Sequence, residues 1–145
     1  MTRFLLTWGP ALLWVLILFF LSELREIPDG LQPFTFIPPL LAHVIVYAIL
    51  GLALGWGRWM SGGQSGDGGG ARRPPSHALL LGLGYLYGAL DEWHQGFVPG
   101  RTPSVVDWVA DVVGVTLGYA AALYLMGWGG DRDRPKRGPP LRWHS

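Results

Sequence analysis

The 145-residue chain contains no cysteine, which excludes disulfides, thiolate metal sites and cysteine nucleophiles. Charged residues are also scarce: only 14% are Asp, Glu, Lys or Arg, against about 25% in an ordinary soluble domain. Formal net charge is +1, so no bulk positive field points to nucleic acid, and no nucleic-acid partner is expected. Phosphate-cradling loops, nucleophile elbows and dinucleotide fingerprints are missing as well. What is present is apolar. Half the residues are hydrophobic and the mean hydropathy is +0.28, and the apolar residues come in long blocks. These blocks lack the polar face of a soluble amphipathic helix, which argues against a soluble bundle.

Four blocks predict helices over about 4–22, 40–59, 77–95 and 104–127, each near the ~20 residues that cross a ~30 Å hydrocarbon core. Arg3 before the first block suggests a signal peptide, but the run is too long for one, and Glu23-Leu24-Arg25-Glu26 is no small-residue cleavage site. The third block is apolar only to Leu90. It reaches spanning length by continuing through Asp91 and Glu92, until Phe97-Val98-Pro99-Gly100 breaks it. Between the first two helices lies a loop with Pro28, Pro38 and Pro39, expected to touch the membrane interface through Phe34, Phe36 and Ile37. Residues 61–76 are rich in Gly, Ser, Arg and Pro and read as a flexible linker, and 129–145 as a disordered basic cytoplasmic tail. The expectation is therefore an all-α integral membrane four-helix bundle over 1–128.

Lys and Arg accumulate on the cytoplasmic side of membranes. Nine of them, Arg58 at the end of the second helix included, fall in or beside the N-terminus, linker and tail, on one side of four crossings, and only Arg25 and Arg101 fall on the other. This predicts both termini inside. On that topology the polar residues gather at one level, the outer ends of the helices. Ser22 and Glu23 end the first helix. His43 and Tyr47 begin the second, one turn apart. Asp91, Glu92 and Gln95 end the third, Arg101 follows in the loop, and Asp107 and Asp111 begin the fourth. Charges inside a bilayer cost roughly 2.5–3.5 kcal/mol each at a helix centre, so such groups face the bundle interior and pair. The candidate ligand-binding cluster is His43, Tyr47, Asp91, Glu92, Gln95, Arg101, Asp107 and Asp111. Its four acids exceed its certain cation, Arg101, so a proton is shared or a cation sits among them. There is no HExxH or other close ligand spacing, so no metal or other cofactor is expected, and His43 reads as a hydrogen-bonded core histidine near Tyr47.

Glycines four apart, Gly51 and Gly55, Gly84 and Gly88, Gly114 and Gly118, predict close helix packing. Two stripes, Gly84-Gly88-Asp91-Gln95 and Asp107-Asp111-Gly114-Gly118, aim Asp111 at the third helix. They predict a bundle tight on its inner half and opened by polar side chains on its outer half. Trp56, Trp59, Trp93, Trp108 and Trp128 read as interfacial anchors.

The stretch Asp91-Glu92-Trp93-His94-Gln95-Gly96-Phe97-Val98-Pro99-Gly100-Arg101, followed by Asp107, Asp111 and Gly114, resembles the signature of the VanZ-like family, and the likeness extends to His43, Tyr47, Gly51 and Ser22. These are small bacterial membrane proteins, named for a member linked to teicoplanin resistance. Asp111 stands where many members carry Asn. The resemblance implies a multi-pass protein of the bacterial cell (inner) membrane. It implies an outward polar pocket that binds or shields a cell-envelope component, either a lipid-linked precursor or a glycopeptide-type amphiphile, with a resistance role. Two alternatives stay open: an intramembrane enzyme using carboxylate acid–base chemistry on a lipid-linked substrate, and a structural or partner membrane protein.

Overall fold

The computed structural model describes residues 2–23, 37–62 and 74–132, with side chains up to residue 127. It is all-helical among the described residues: α1 (Thr2–Ser22), α2 (Pro39–Gly62), α3 (His77–Gln95) and α4 (Val105–Arg132). Three of these, α1, α2 and α4, are long and apolar enough to cross a membrane. The outward surfaces of α1, α3 and α4 are greasy: Phe4, Leu13, Phe20, Leu86, Leu117 and Leu125 are all more than half exposed. Lipid-facing side chains belong there, because in water such a surface would drive association.

Local chemistry sets the ends. Pro39 begins α2, where its missing N–H costs nothing, and the Pro38 carbonyl accepts from Leu41 and Ala42 at 2.9 and 3.0 Å. Ser76 caps α3 by accepting from the Leu79 N–H at 3.1 Å. After α3 the chain turns through Gly100, whose φ of +89° suits glycine. Ser104 caps α4, its Oγ accepting from the Asp107 N–H at 3.2 Å. Inside α1, Pro10 deprives the Leu6 carbonyl of its helical donor, and the Trp56 indole N–H supplies one from α2 at 3.3 Å.

Two boundaries differ from expectation. α2 continues through Ser61 and Gly62, with the Ser61 hydroxyl donating to the Gly57 carbonyl, and α4 continues to Arg132, inside the segment expected to be a disordered tail. One glycine at a helix end does not stop a helix. The rest of that tail, the 63–73 part of the linker, the first loop with Phe34 and Phe36, and Arg25 lie outside the described residues.

α2 and α4 make the most extensive contact, α1 rests mainly on α2, and α3 on α4. Gly51 faces the Val115 carbonyl and Tyr119 N, Gly114 faces the Val44 carbonyl, and Gly118 faces the Ala48 backbone, so these two helices touch backbone to backbone. The glycines of α4 thus serve α2, whereas those of α3 receive side chains of α4: Gly84 takes Val115 and Gly88 takes Asp111. Close backbone packing at the glycines joins α2 and α4 but does not extend throughout the bundle. α1 and α3 barely meet, and between them runs an apolar groove of about 470 Å³, floored by Leu50 and Leu54 and walled by Trp8, Val15, Leu83 and Tyr87. No glycine pair draws α1 onto α3, so larger side chains hold them apart.

Candidate functional site

At the end of the bundle formed by the start of α2, the end of α3 and the start of α4, two strings of polar side chains cross between helices. In the first, the Tyr47 hydroxyl (α2) and the Gln95 amide (α3) both donate to Asp91 Oδ2, at 3.1 and 3.2 Å. Arg101 in the following loop donates to Gln95 Oε1 at 3.4 Å. Tyr47, Asp91 and Gln95 are all buried. Four of the eight expected residues thus form one chain from the interior of α2 to the loop.

The second string joins His43, Asp111 and Glu92. A ring nitrogen of His43 (α2), Nδ1, lies 2.8 Å from Asp111 Oδ1 (α4). Asp111 is only 1% exposed and Glu92 6%, while the His43 side chain keeps 18% of its surface. Glu92 Oε2 accepts the Ser104 backbone N–H at 2.7 Å, tying the end of α3 to the cap of α4. One ligand atom from each of these three residues falls within 4.8 Å of the others. Two buried oxygens here, Glu92 Oε1 and Asp111 Oδ2, have no hydrogen-bond partner among the described residues. Asp107, the eighth expected residue, is half-buried in the first turn of α4, where a carboxylate complements the helix N-terminus.

Asp111 therefore has His43 as its partner. Several contributors went unread. Ser104, which both caps α4 and anchors Glu92, carries a signal in Ser104-Val105-Val106-Asp107, a hydroxyl followed three residues later by an acid. Trp108 is more than an interfacial anchor, since its indole N–H donates to the Tyr85 carbonyl at 3.1 Å and clamps α4 to α3. Trp14 likewise donates to the Val46 carbonyl at 2.8 Å, and Tyr87 to the Val15 carbonyl at 2.9 Å. A further polar contact at the same end joins Glu23, just after α1, to His94 of α3. Trp128 lies beyond the described side chains.

A tyrosine pair connects this end to the groove. Tyr87 lines the groove, and its ring centroid is 6.3 Å from that of Tyr47, whose hydroxyl is bonded to Asp91. The wall of the apolar groove thus adjoins the buried edge of the polar cluster through the Tyr87–Tyr47 contact.

A family model described as VanZ/LLP1 matches residues 7–126, from the first turns of α1 to near the end of α4, and so covers both polar strings and the groove. No curated protein and no solved structure matches the chain.

Proposed function

The chain belongs to the VanZ/LLP1 family, and from that premise we propose that this membrane protein holds an amphiphile of the cell envelope, with its chain in the α1–α3 groove and its headgroup at the polar end. The observation that carries the reading is the run from groove to cluster through Tyr87 and Tyr47. A hydrocarbon chain gains little by leaving the bilayer for the groove, since lipid tails are as apolar as leucine. The groove therefore positions the ligand, and discrimination falls to the headgroup. Arg101, at the loop end of the first string, is suited to a phosphate or carboxylate, and the partly exposed His43 and Asp107 to hydroxyl or ammonium groups. A lipid-linked precursor and a glycopeptide-type amphiphile share this chemistry. By binding it, the protein would shield it, which is the form a resistance role would take.

The test is lipid analysis of the full chain purified in mild detergent from its own membranes. Wild type is expected to retain an envelope amphiphile. Leu83→Trp, which fills the groove, should reduce its occupancy several-fold, whereas Leu117→Trp on the exposed face of α4 should not. Equal occupancy in all three would overturn the reading.

The reading also requires the polar end to face outward in the bacterial inner membrane, with four crossings and both termini cytoplasmic, as the Lys and Arg asymmetry implies. A cysteine at Thr102 should be labelled by a membrane-impermeant thiol reagent on intact cells, and one at Gly66 should be protected. The reverse pattern would invert the topology and sink the proposal.

A further inference from the structure

We propose that His43, Glu92 and Asp111 form a binding site for one first-row divalent metal ion. The inference does not depend on the amphiphile reading. Its first support is geometric: the three residues come from three helices, and one ligand atom of each lies within 4.8 Å of the others. Ligands bound about 2.0–2.2 Å from a zinc ion stand no more than roughly 4.4 Å apart, so small side-chain rotations close the set. The second support is independent of the clustering. Glu92 Oε1 and Asp111 Oδ2 belong to side chains more than nine-tenths buried, and neither has a hydrogen-bond partner among the described residues. Protein interiors rarely leave carboxylate oxygens so placed, because an unpaired buried charge is costly.

The surrounding groups present these oxygens. Ser104 N–H holds Glu92 Oε2, which leaves Oε1 as the coordinating atom. His43 holds Asp111 Oδ1, and Oδ2 lies in the small space that Gly88 provides, where a Cβ would stand 3.3 Å away. The Ser104–Glu92 contact is an outer hydrogen bond of the kind that orients a metal ligand, whereas the His43–Asp111 contact joins two of the proposed ligands and would give way to the ion. One imidazole and two carboxylates, with no thiolate, suit zinc, manganese or ferrous iron rather than cuprous copper. Two carboxylates neutralise a divalent ion, which removes the charge problem of two buried acids at one membrane level. Three protein ligands leave a coordination position open, and the exposed edge of His43 is where a headgroup oxygen could reach it.

Glu92→Gln tests this without dismantling the fold. The glutamine carbonyl can accept from Ser104 N–H, which places the amide NH2, a donor, where the ion would sit. The experiment uses the full chain in detergent, purified without a polyhistidine tag and washed with chelator. Zn2+ and Mn2+ are then titrated calorimetrically, and the metal retained per chain is measured by mass spectrometry. Wild type should bind one ion per chain. Glu92→Gln and His43→Ala should bind it at least about 10-fold more weakly. His94→Ala, which removes contacts to Glu23 and Phe19 but none to the three proposed ligands, should match wild type. Thermal midpoints without metal verify that each variant is folded. If wild type binds neither ion stoichiometrically, or folded Glu92→Gln binds as well as wild type, the site is not a metal site. Amphiphile occupancy in the same preparations is a separate readout, so each proposal fails on its own measurement.

Discussion

Gly118→Ala is expected to be among the most damaging single-methyl substitutions in the chain. A Cβ at residue 118 would fall on the Ala48 carbonyl oxygen, with the carbonyl carbon at 2.6 Å and Cα at 2.9 Å. These are backbone atoms of α2, and a helix backbone cannot swing aside as a side chain can. α2 and α4 must therefore separate, and with them go the neighbouring contacts at Gly51 and Gly114. Overpacking a core typically costs about 1–3 kcal/mol, and a backbone obstacle puts this case at the upper end. The consequences reach the polar end, because Gly114 lies one turn from Asp111, whose hydrogen bond to His43 bridges the same two helices. Gly82→Ala is the control. A Cβ there meets nothing within 4 Å, so it should be neutral, or stabilising by about 0.5–1 kcal/mol through reduced chain entropy. Thermal unfolding in detergent should show Gly118→Ala far below wild type and Gly82→Ala at or above it. Similar midpoints for the two would mean that α2 and α4 are not in backbone contact.

The four helices and their order were legible because three apolar blocks have spanning length, the third block runs on as a helix through its acidic pair, and each interruption carries Pro, Gly or charge. α3 was the hardest to read, since it passes through Asp91 and Glu92, and only the run Phe97 to Gly100 marks its end. The level of the polar residues was also legible, because helices of similar length that alternate direction bring their polar ends to the same side. Which residue meets which was not. His43 to Asp111 spans 68 positions and depends on how α2 and α4 are rotated about their axes. Twenty-two glycines offer too many candidate contact faces to fix that rotation. The cluster of His43, Glu92 and Asp111 was hidden for the same reason: with one residue per helix, no sequence spacing announces it. The groove was invisible because it arises from a contact that α1 and α3 largely fail to make.

Asp111 is where the two roles of the polar end, holding helices and holding a ligand, should come apart. It is almost fully buried, bonded to His43 of α2 through Oδ1, and set against Gly88 of α3, so from α4 it touches two other helices. By a rise of 1.5 Å per residue it stands roughly 9 Å along α4 from Val105. Asp111→Leu removes the acceptor and leaves the His43 ring nitrogen unpaired, at about 1–3 kcal/mol. It also brings a branched side chain to a place where a Cβ on Gly88 would already stand 3.2 Å from the Asp111 Cβ. Folded yield and thermal midpoint should both drop. Asp111→Asn keeps the shape and an oxygen for His43. It should keep the fold close to wild type. What it loses is charge, so it should hold a divalent ion more weakly than wild type while remaining folded. Leucine should then fail in both measurements and asparagine only in metal binding. Should Asp111→Asn unfold as readily as Asp111→Leu, the negative charge itself holds the helices together, and the His43–Asp111 contact must be read as an ion pair that stabilises the bundle.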